Sequence, residues 1–244
     1  MSLTTEQSNK QWAFERMGYL VIRQAVSPEL VALLKSRIAE VHQARTEASR
    51  EHVRKLYRIY DEAPELFEKV FESPKLREEL INILGPNVVY VKNRHNQAAL
   101  NTGDQTNVES RLHRDILYPT RGVVTAALYL DESTVENGAT VVIPGSHRLP
   151  FVGVTQIDPP GGGTWMDEHG EYAGLSAQAL AVPMRAGDIL LFDGLLFHTV
   201  GANQTEDPRT SVIMGFRSAD ELDANPDTER QKLIAGEFLY RGNN

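Results

Sequence analysis

The chain has 244 residues, with 25 Lys and Arg against 33 Asp and Glu, a formal net charge of −8. A 41% hydrophobic and 24% charged composition is that of a globular protein and excludes disordered and fibrous classes. Cysteine is absent, which excludes disulfides, thiolate metal sites and thiol nucleophiles, and the acidic balance argues against a nucleic-acid partner.

The opening MSLTTEQSNK is polar and lacks the apolar core of a signal peptide. No run approaches the roughly 20 apolar residues of a membrane span, so a soluble, cytoplasmic protein without a membrane partner is expected. The pattern predicts a helix over about 7–17 and a short buried strand at 18–22. Ser27-Pro28-Glu29 starts a second helix, with Ser27 as N-cap and Pro28 where its missing N–H costs nothing. Leu30, Leu33, Leu34, Ile38 and Val41 then recur at helical spacing. The densest basic stretch, 50–58, also contains Glu51 and reads as a solvated helix face. Ser73-Pro74 starts another helix, which Gly85-Pro86 stops.

Beyond Pro86 the period becomes that of strands, over 88–97, 123–130, 140–143, 189–192, 197–200 and 210–216. Short strands parted by Gly, Pro, Asn and Asp predict an antiparallel sandwich or barrel, buttressed by the helices. Two long connections, 98–110 and 149–180, are candidates for lids over a site.

Chemistry concentrates in two segments. In Arg111-Leu112-His113-Arg114-Asp115, a strand would send His113 and Asp115 to one face about 6.6 Å apart. Alone this HxD pattern is weak, but a second segment from Gly187-Asp188 to His198 supplies another imidazole. Two histidines and a carboxylate make the facial triad of non-haem Fe(II) oxygenases, which leaves positions open for O2 and a co-substrate. Arg209 and Ser211 share a strand face and can clamp a carboxylate, which is expected to belong to 2-oxoglutarate.

Four segments together resemble the phytanoyl-CoA dioxygenase-like family of Fe(II)/2-oxoglutarate-dependent oxygenases. They are Gly18-Tyr19-Leu20-Val21-Ile22, His113-Arg114-Asp115, Asn137-Gly138-Ala139-Thr140 through Pro144-Gly145-Ser146-His147, and Gly187-Asp188 through His198 to Arg209-Thr210-Ser211. The resemblance implies a mainly β fold with buttressing helices, the double-stranded β-helix or jelly roll. It implies a single domain over 1–244, with helical support in 1–86, the jelly roll in 87–218 and a C-terminal tail in 219–244. It also implies Fe(II) on His113, Asp115 and His198, with O2 and 2-oxoglutarate as co-substrates and Arg209 on the C5 carboxylate. Position alone offers Thr140 and Asn93 for the C1 end. Halogenating relatives replace the carboxylate ligand with a small residue, whereas Asp115 is present here, so oxygenation is expected.

The remaining candidates are weaker. His95 alternates with Asn93 and Gln97 on one strand face, which lines either the pocket or solvent. Trp165 either closes over the substrate or pins its loop; Arg217 follows Arg209 and Ser211 along one face and is a candidate for a substrate acid group. Arg114 is expected to point away from the metal into a surface or lid ion pair. His147 reads as a loop-fixing residue, and Asp188 and Asp193 as turn residues. The chain has no basic cluster for a CoA phosphate, so phytanoyl-CoA is not the expected substrate. The acidic composition instead favours a small neutral or cationic molecule, in secondary-metabolite (antibiotic) tailoring or as a free amino acid. The alternatives are a jelly-roll metalloenzyme without 2-oxoglutarate and a binding module with a vestigial metal site.

Overall fold

The computed structural model describes residues 4–49, 54–101, 111–116, 122–149, 165–166, 170–220 and 230–238. The first half is helical with two strands. Thr4 and Gln7 form a reciprocal capping box at the start of α1 (Thr5–Met17), which ends where Gly18 turns left-handed at φ 79°. Then follow β1 (Tyr19–Ile22), α2 (Pro28–Ser49), β2 (Lys55–Tyr57), and the short α3 (Ile59–Glu62) and α4 (Pro64–Phe71). Ser73 caps α5 (Pro74–Leu84) by accepting from Leu76 N, while its hydroxyl donates to Ala25 O at 2.6 Å. The helix start read from Ser73-Pro74 is thereby also tied to the loop before α2.

Nine strands follow: β3 (Val88–Val91), β4 (Gln97–Asn101), β5 (Val123–Tyr129), β6 (Thr140–Val142), β7 (Leu180–Val182), β8 (Ile189–Asp193), β9 (His198–Val200), β10 (Arg209–Ser218) and β11 (Gln231–Ala235). They form two antiparallel sheets. In the larger, β1, β8, β5 and β10 lie side by side, and the far edge of β10 pairs first with β4 and then with β3. β2 extends the sheet beyond β4, and β11 extends it beyond β3. The smaller sheet has the order β7-β6-β9.

Strand alternation divides the core in two. One face of the large sheet, with Val124, Ala126, Leu128, Val212, Met214 and Phe216, packs on helical residues such as Leu34, Phe67, Phe71 and Leu80. The opposite face brings Ala127, Tyr129, Leu190 and Phe192 against Val142, Val182 and Leu196. All seven residues of β5 are therefore buried. A central strand buried on both faces is a rigid base for side chains pointing between the sheets.

Several sequence expectations are corrected here. The strand expected over 88–97 is two strands joined by a turn, where His95 is left-handed at φ 50°. Asn and His tolerate that region better than most residues, so this polar stretch serves a turn and the alternation argument fails. The basic segment near 54–58 is a strand instead of a helix face. The expected tail contributes β11, and the connection 149–180 contains a 3₁₀ helix, Gly170–Gln178. The rest of that connection, apart from 149, 165–166 and 179–180, lies outside the described residues, as does 102–110.

Candidate metal and co-substrate site

His113 and Asp115 lie on an irregular segment, not the expected strand. It is held to β9 by paired backbone hydrogen bonds, His113 N to His198 O and His198 N to His113 O, both 2.9 Å. Asp115 N donates to Gly194 O at 2.9 Å, just after β8. These bonds set the two imidazoles side by side, with ring centroids 4.4 Å apart and planes inclined at 45°, and bring one ligand atom each of His113, Asp115 and His198 within 4.8 Å of one another.

The orientation of each donor is fixed from behind. His113 Nδ1 lies 3.1 Å from Arg111 O, and His198 Nδ1 lies 2.9 Å from Leu196 O. A carbonyl only accepts, so Nδ1 carries the proton and the Nε2 lone pair is free for a metal. Asp115 Oδ2 accepts from Thr125 Oγ1 at 2.7 Å and lies 3.1 Å from His95 Nε2. Its other oxygen, Oδ1, faces His198 Nε2 at 3.6 Å. The carboxylate therefore has one oxygen anchored and one available.

The electrostatics suit a cation. Burial, reinforced by the charge of His198, lowers the His113 pKa to about 4, so its imidazole is neutral at pH 7. Burial alone would raise the Asp115 pKa, but the His198 and His95 imidazoles and the Thr125 hydrogen bond outweigh it and hold the carboxyl well below the usual range. Two imidazoles and one carboxylate are the donor set expected of a non-haem Fe(II) site.

Arg209 opens β10 opposite Asn101 of β4 and is 2% exposed. Its guanidinium lies 5.7 Å from the Tyr129 ring, and Nε has no hydrogen-bond partner among the described residues. Burial pulls its pKa down, with Tyr129 and Asp131 acting against that. A buried guanidinium without a carboxylate is costly unless a ligand supplies one. The remote carboxylate of 2-oxoglutarate fits that need. His113, Asp115, His198 and Arg209 all line one cavity of about 490 Å³.

Of the other expected residues, Ser211, Thr140, His95, Gln97 and Trp165 line this cavity. Thr140 Oγ1 is 2.6 Å from Tyr129 Oη. Trp165 forms an antiparallel bridge with His113, their rings 5.3 Å apart, so it both pins its segment and walls the cavity. Asn93 does not line the cavity: it is exposed on the β3–β4 turn. Arg217 does not line it either. The β3–β4 turn passes over the same face of β10 at Gly215, where a Cβ would stand 2.9 Å from Arg94 O, and so separates Arg217 from Arg209 and Ser211.

Arg114 does point away from the proposed metal ligands, and among the described residues it makes no ion pair. It is buried, donates to Ser146 O at 3.0 Å and sits 4.2 Å over the Phe197 ring. His147 ties its turn to α1 through Glu15 O at 3.1 Å. Sequence reasoning missed Thr125, a hydroxyl in an otherwise apolar strand and thus a visible signal, and missed Tyr129, Phe192, Arg54 and Lys55 as cavity residues.

The two sheets, the helices behind one of them and the imidazole–carboxylate triad define the jelly-roll class of Fe(II)/2-oxoglutarate oxygenases. The family model described as phytanoyl-CoA dioxygenase (PhyH) matches residues 14–211, and the chain belongs to that family. Ectoine dioxygenase of Bordetella parapertussis is 25% identical over 227 residues, covering 84% of this chain and 73% of that protein. Among solved structures, EctD from S. alaskensis with bound Fe superposes with a TM-score of 0.70 at 22% identity, covering 91% of this chain and 79% of that one. The epimerase SnoN, in complex with Fe3+, alpha ketoglutarate and nogalamycin RO, superposes with a TM-score of 0.69 at 21% identity, covering 94% and 98%. The chain is an Fe(II)/2-oxoglutarate-dependent dioxygenase acting on small molecules. Among the described residues no helix is long and apolar enough to cross a membrane.

Proposed function

We propose that His113, Asp115 and His198 hold Fe(II), that Arg209 with Ser211 receives the C5 carboxylate of 2-oxoglutarate, and that the enzyme oxidises a C–H bond of a small organic molecule. The observation that carries this reading is one cavity lined by both the triad and a buried Arg209 whose Nε has no partner among the described residues. Iron, 2-oxoglutarate and O2 together supply oxidation of an unactivated C–H bond, with succinate and CO2 as by-products.

The chain's own residues do the positioning. Arg111 O and Leu196 O hold the imidazole tautomers, and Thr125 and His95 hold Asp115. Phe192 lies 4.5 Å from the His198 ring and, with Trp165, gives the cavity apolar walls that keep water off the metal. Thr140, next to the Tyr129 hydroxyl, is the candidate for steadying the co-substrate. Hydroxylation is the default outcome. Epimerisation, desaturation or ring closure need only a different fate for the oxidised carbon, and tailoring of a secondary metabolite is the context favoured by the likeness to SnoN.

The test is succinate formation from 2-oxoglutarate with Fe(II) and O2, in the wild type and in Arg209→Ala. Losing a buried charge-assisted pair is worth about 2–5 kcal/mol, so 2-oxoglutarate affinity should fall about thirtyfold or more. Equal succinate yield and affinity in the variant would refute the co-substrate assignment.

A further inference from the structure

The mouth of the cavity carries charge that neither the triad nor Arg209 explains. Lys55 on β2 lies opposite Ala99 on β4, which lies opposite Ser211 on β10, which lies opposite Tyr129 on β5. Directly opposed residues in antiparallel strands share a face, so Lys55 ends a row of cavity residues. Arg54 lines the same cavity, as does Arg111, whose guanidinium sits 4.5 Å over the Trp165 ring.

Against Arg54 and Lys55, the cavity wall presents one acidic side chain among the described residues, Asp115, and that is a proposed metal ligand. Fe(II), Asp115, Arg209 and the doubly charged 2-oxoglutarate balance one another. Among the described residues, the charges of Arg54 and Lys55 remain in excess. Exposed cations in open solvent contribute little, but beside a cleft with low-dielectric walls they concentrate and orient anions. The net charge of −8 does not oppose this, because charges farther than about 8–10 Å away are largely screened at physiological salt.

On the Fe(II)/2-oxoglutarate reading above, we infer that the substrate is an organic anion, with an apolar or aromatic body against Trp165 and Phe192 and a carboxylate or phosphate held at Arg54 and Lys55. This reverses the neutral or cationic substrate expected from composition. That expectation used whole-chain charge, whereas the local field acts on a substrate in the cavity.

The experiment titrates Fe(II)- and 2-oxoglutarate-loaded protein, without O2, in a calorimeter. The probes are carboxylate and primary-amide pairs on benzene, indole and naphthalene rings, and aryl phosphates paired with their phenols. At least one anion should bind about tenfold tighter than its neutral partner, the yield of one charge-assisted hydrogen bond. That preference should vanish in Arg54→Gln/Lys55→Gln and persist in Arg54→Lys/Lys55→Arg. If no anion in the set outbinds its neutral partner, the inference is wrong. It is also wrong if the Gln variant keeps the preference and loses 2-oxoglutarate affinity, since the rim would then serve the co-substrate. A separate titration of the Fe(II) protein with 2-oxoglutarate distinguishes this from failure of the parent reading: no binding there removes both.

Discussion

His113 is the residue at which burial and chemistry meet. A metal ligand must be deprotonated, and an ordinary histidine at pKa 6.5 would begin to lose metal to protons just below neutrality. Desolvation lowers its pKa to about 4, which keeps the lone pair available but makes the fold sensitive to acid. The sign follows from linkage. The unfolded chain takes up the proton near pH 6.5 and the folded chain only near pH 4, so stability is intact above 6.5 and is lost as pH falls towards 4. Between pH 7 and pH 5 this one group should remove about 2 kcal/mol from the metal-free protein. Urea unfolding of metal-free wild type and His113→Gln at both pH values checks it, the variant losing less by that amount. A parallel loss in the two proteins would show that His113 titrates normally in the fold.

At the scale of elements, the proposed ligands stay in place because a few turns are fixed by side chains. Asp188 is 1% exposed at the start of β8 and accepts from Gln24 N at 2.8 Å, Arg185 N at 2.9 Å and Arg23 Nη1 at 2.7 Å. The preceding Gly187, at φ +86°, leaves room for Val26 O, which a Cβ would meet at 2.5 Å. Together they lock the β1–α2 loop to the strand that leads towards His198. Asp188→Ala strips the acceptor from two backbone N–H groups and should cost about 2–4 kcal/mol, read as a lower denaturation midpoint with an unchanged m value. A loss below about 0.5 kcal/mol would mean that solvent replaces those bonds.

This turn role was readable from the Gly187-Asp188 sequence, whereas the β3–β4 turn was not. Its Asn and His residues fit either an alternating strand or a left-handed turn, and the choice is made by Arg94 packing over Gly215 and by Asn96 accepting from Tyr60 N at 2.8 Å. Those are contacts between residues far apart in sequence. The same limit explains why Asn93 and Arg217 were drawn towards a pocket they do not line, and why β2 and β11 were missed. Short edge strands have weak patterns of their own and are defined by their neighbours.

For the whole molecule, the site's construction links metal binding to stability. Asp115 is anchored to the large sheet by Thr125 on β5, Arg209 belongs to β10 of that sheet, and His198 begins β9 of the small sheet. A metal held by the proposed ligands Asp115 and His198 would therefore tie the two sheets together and bind the folded chain in preference to the unfolded one. Iron at one hundred times its dissociation constant adds about 2.7 kcal/mol by mass action. For a chain of this size that corresponds to a rise in Tm of roughly 5–10 °C. Adding 2-oxoglutarate to the iron form should raise Tm further in the wild type, and much less in Arg209→Ala, because only the wild type has the buried cation to receive its far carboxylate. Differential scanning under anoxic conditions separates the two contributions. Equal co-substrate shifts in both proteins would place the carboxylate elsewhere in the cavity, whereas no shift with iron would mean that the sheets meet as firmly without the metal and that the triad does not bind it.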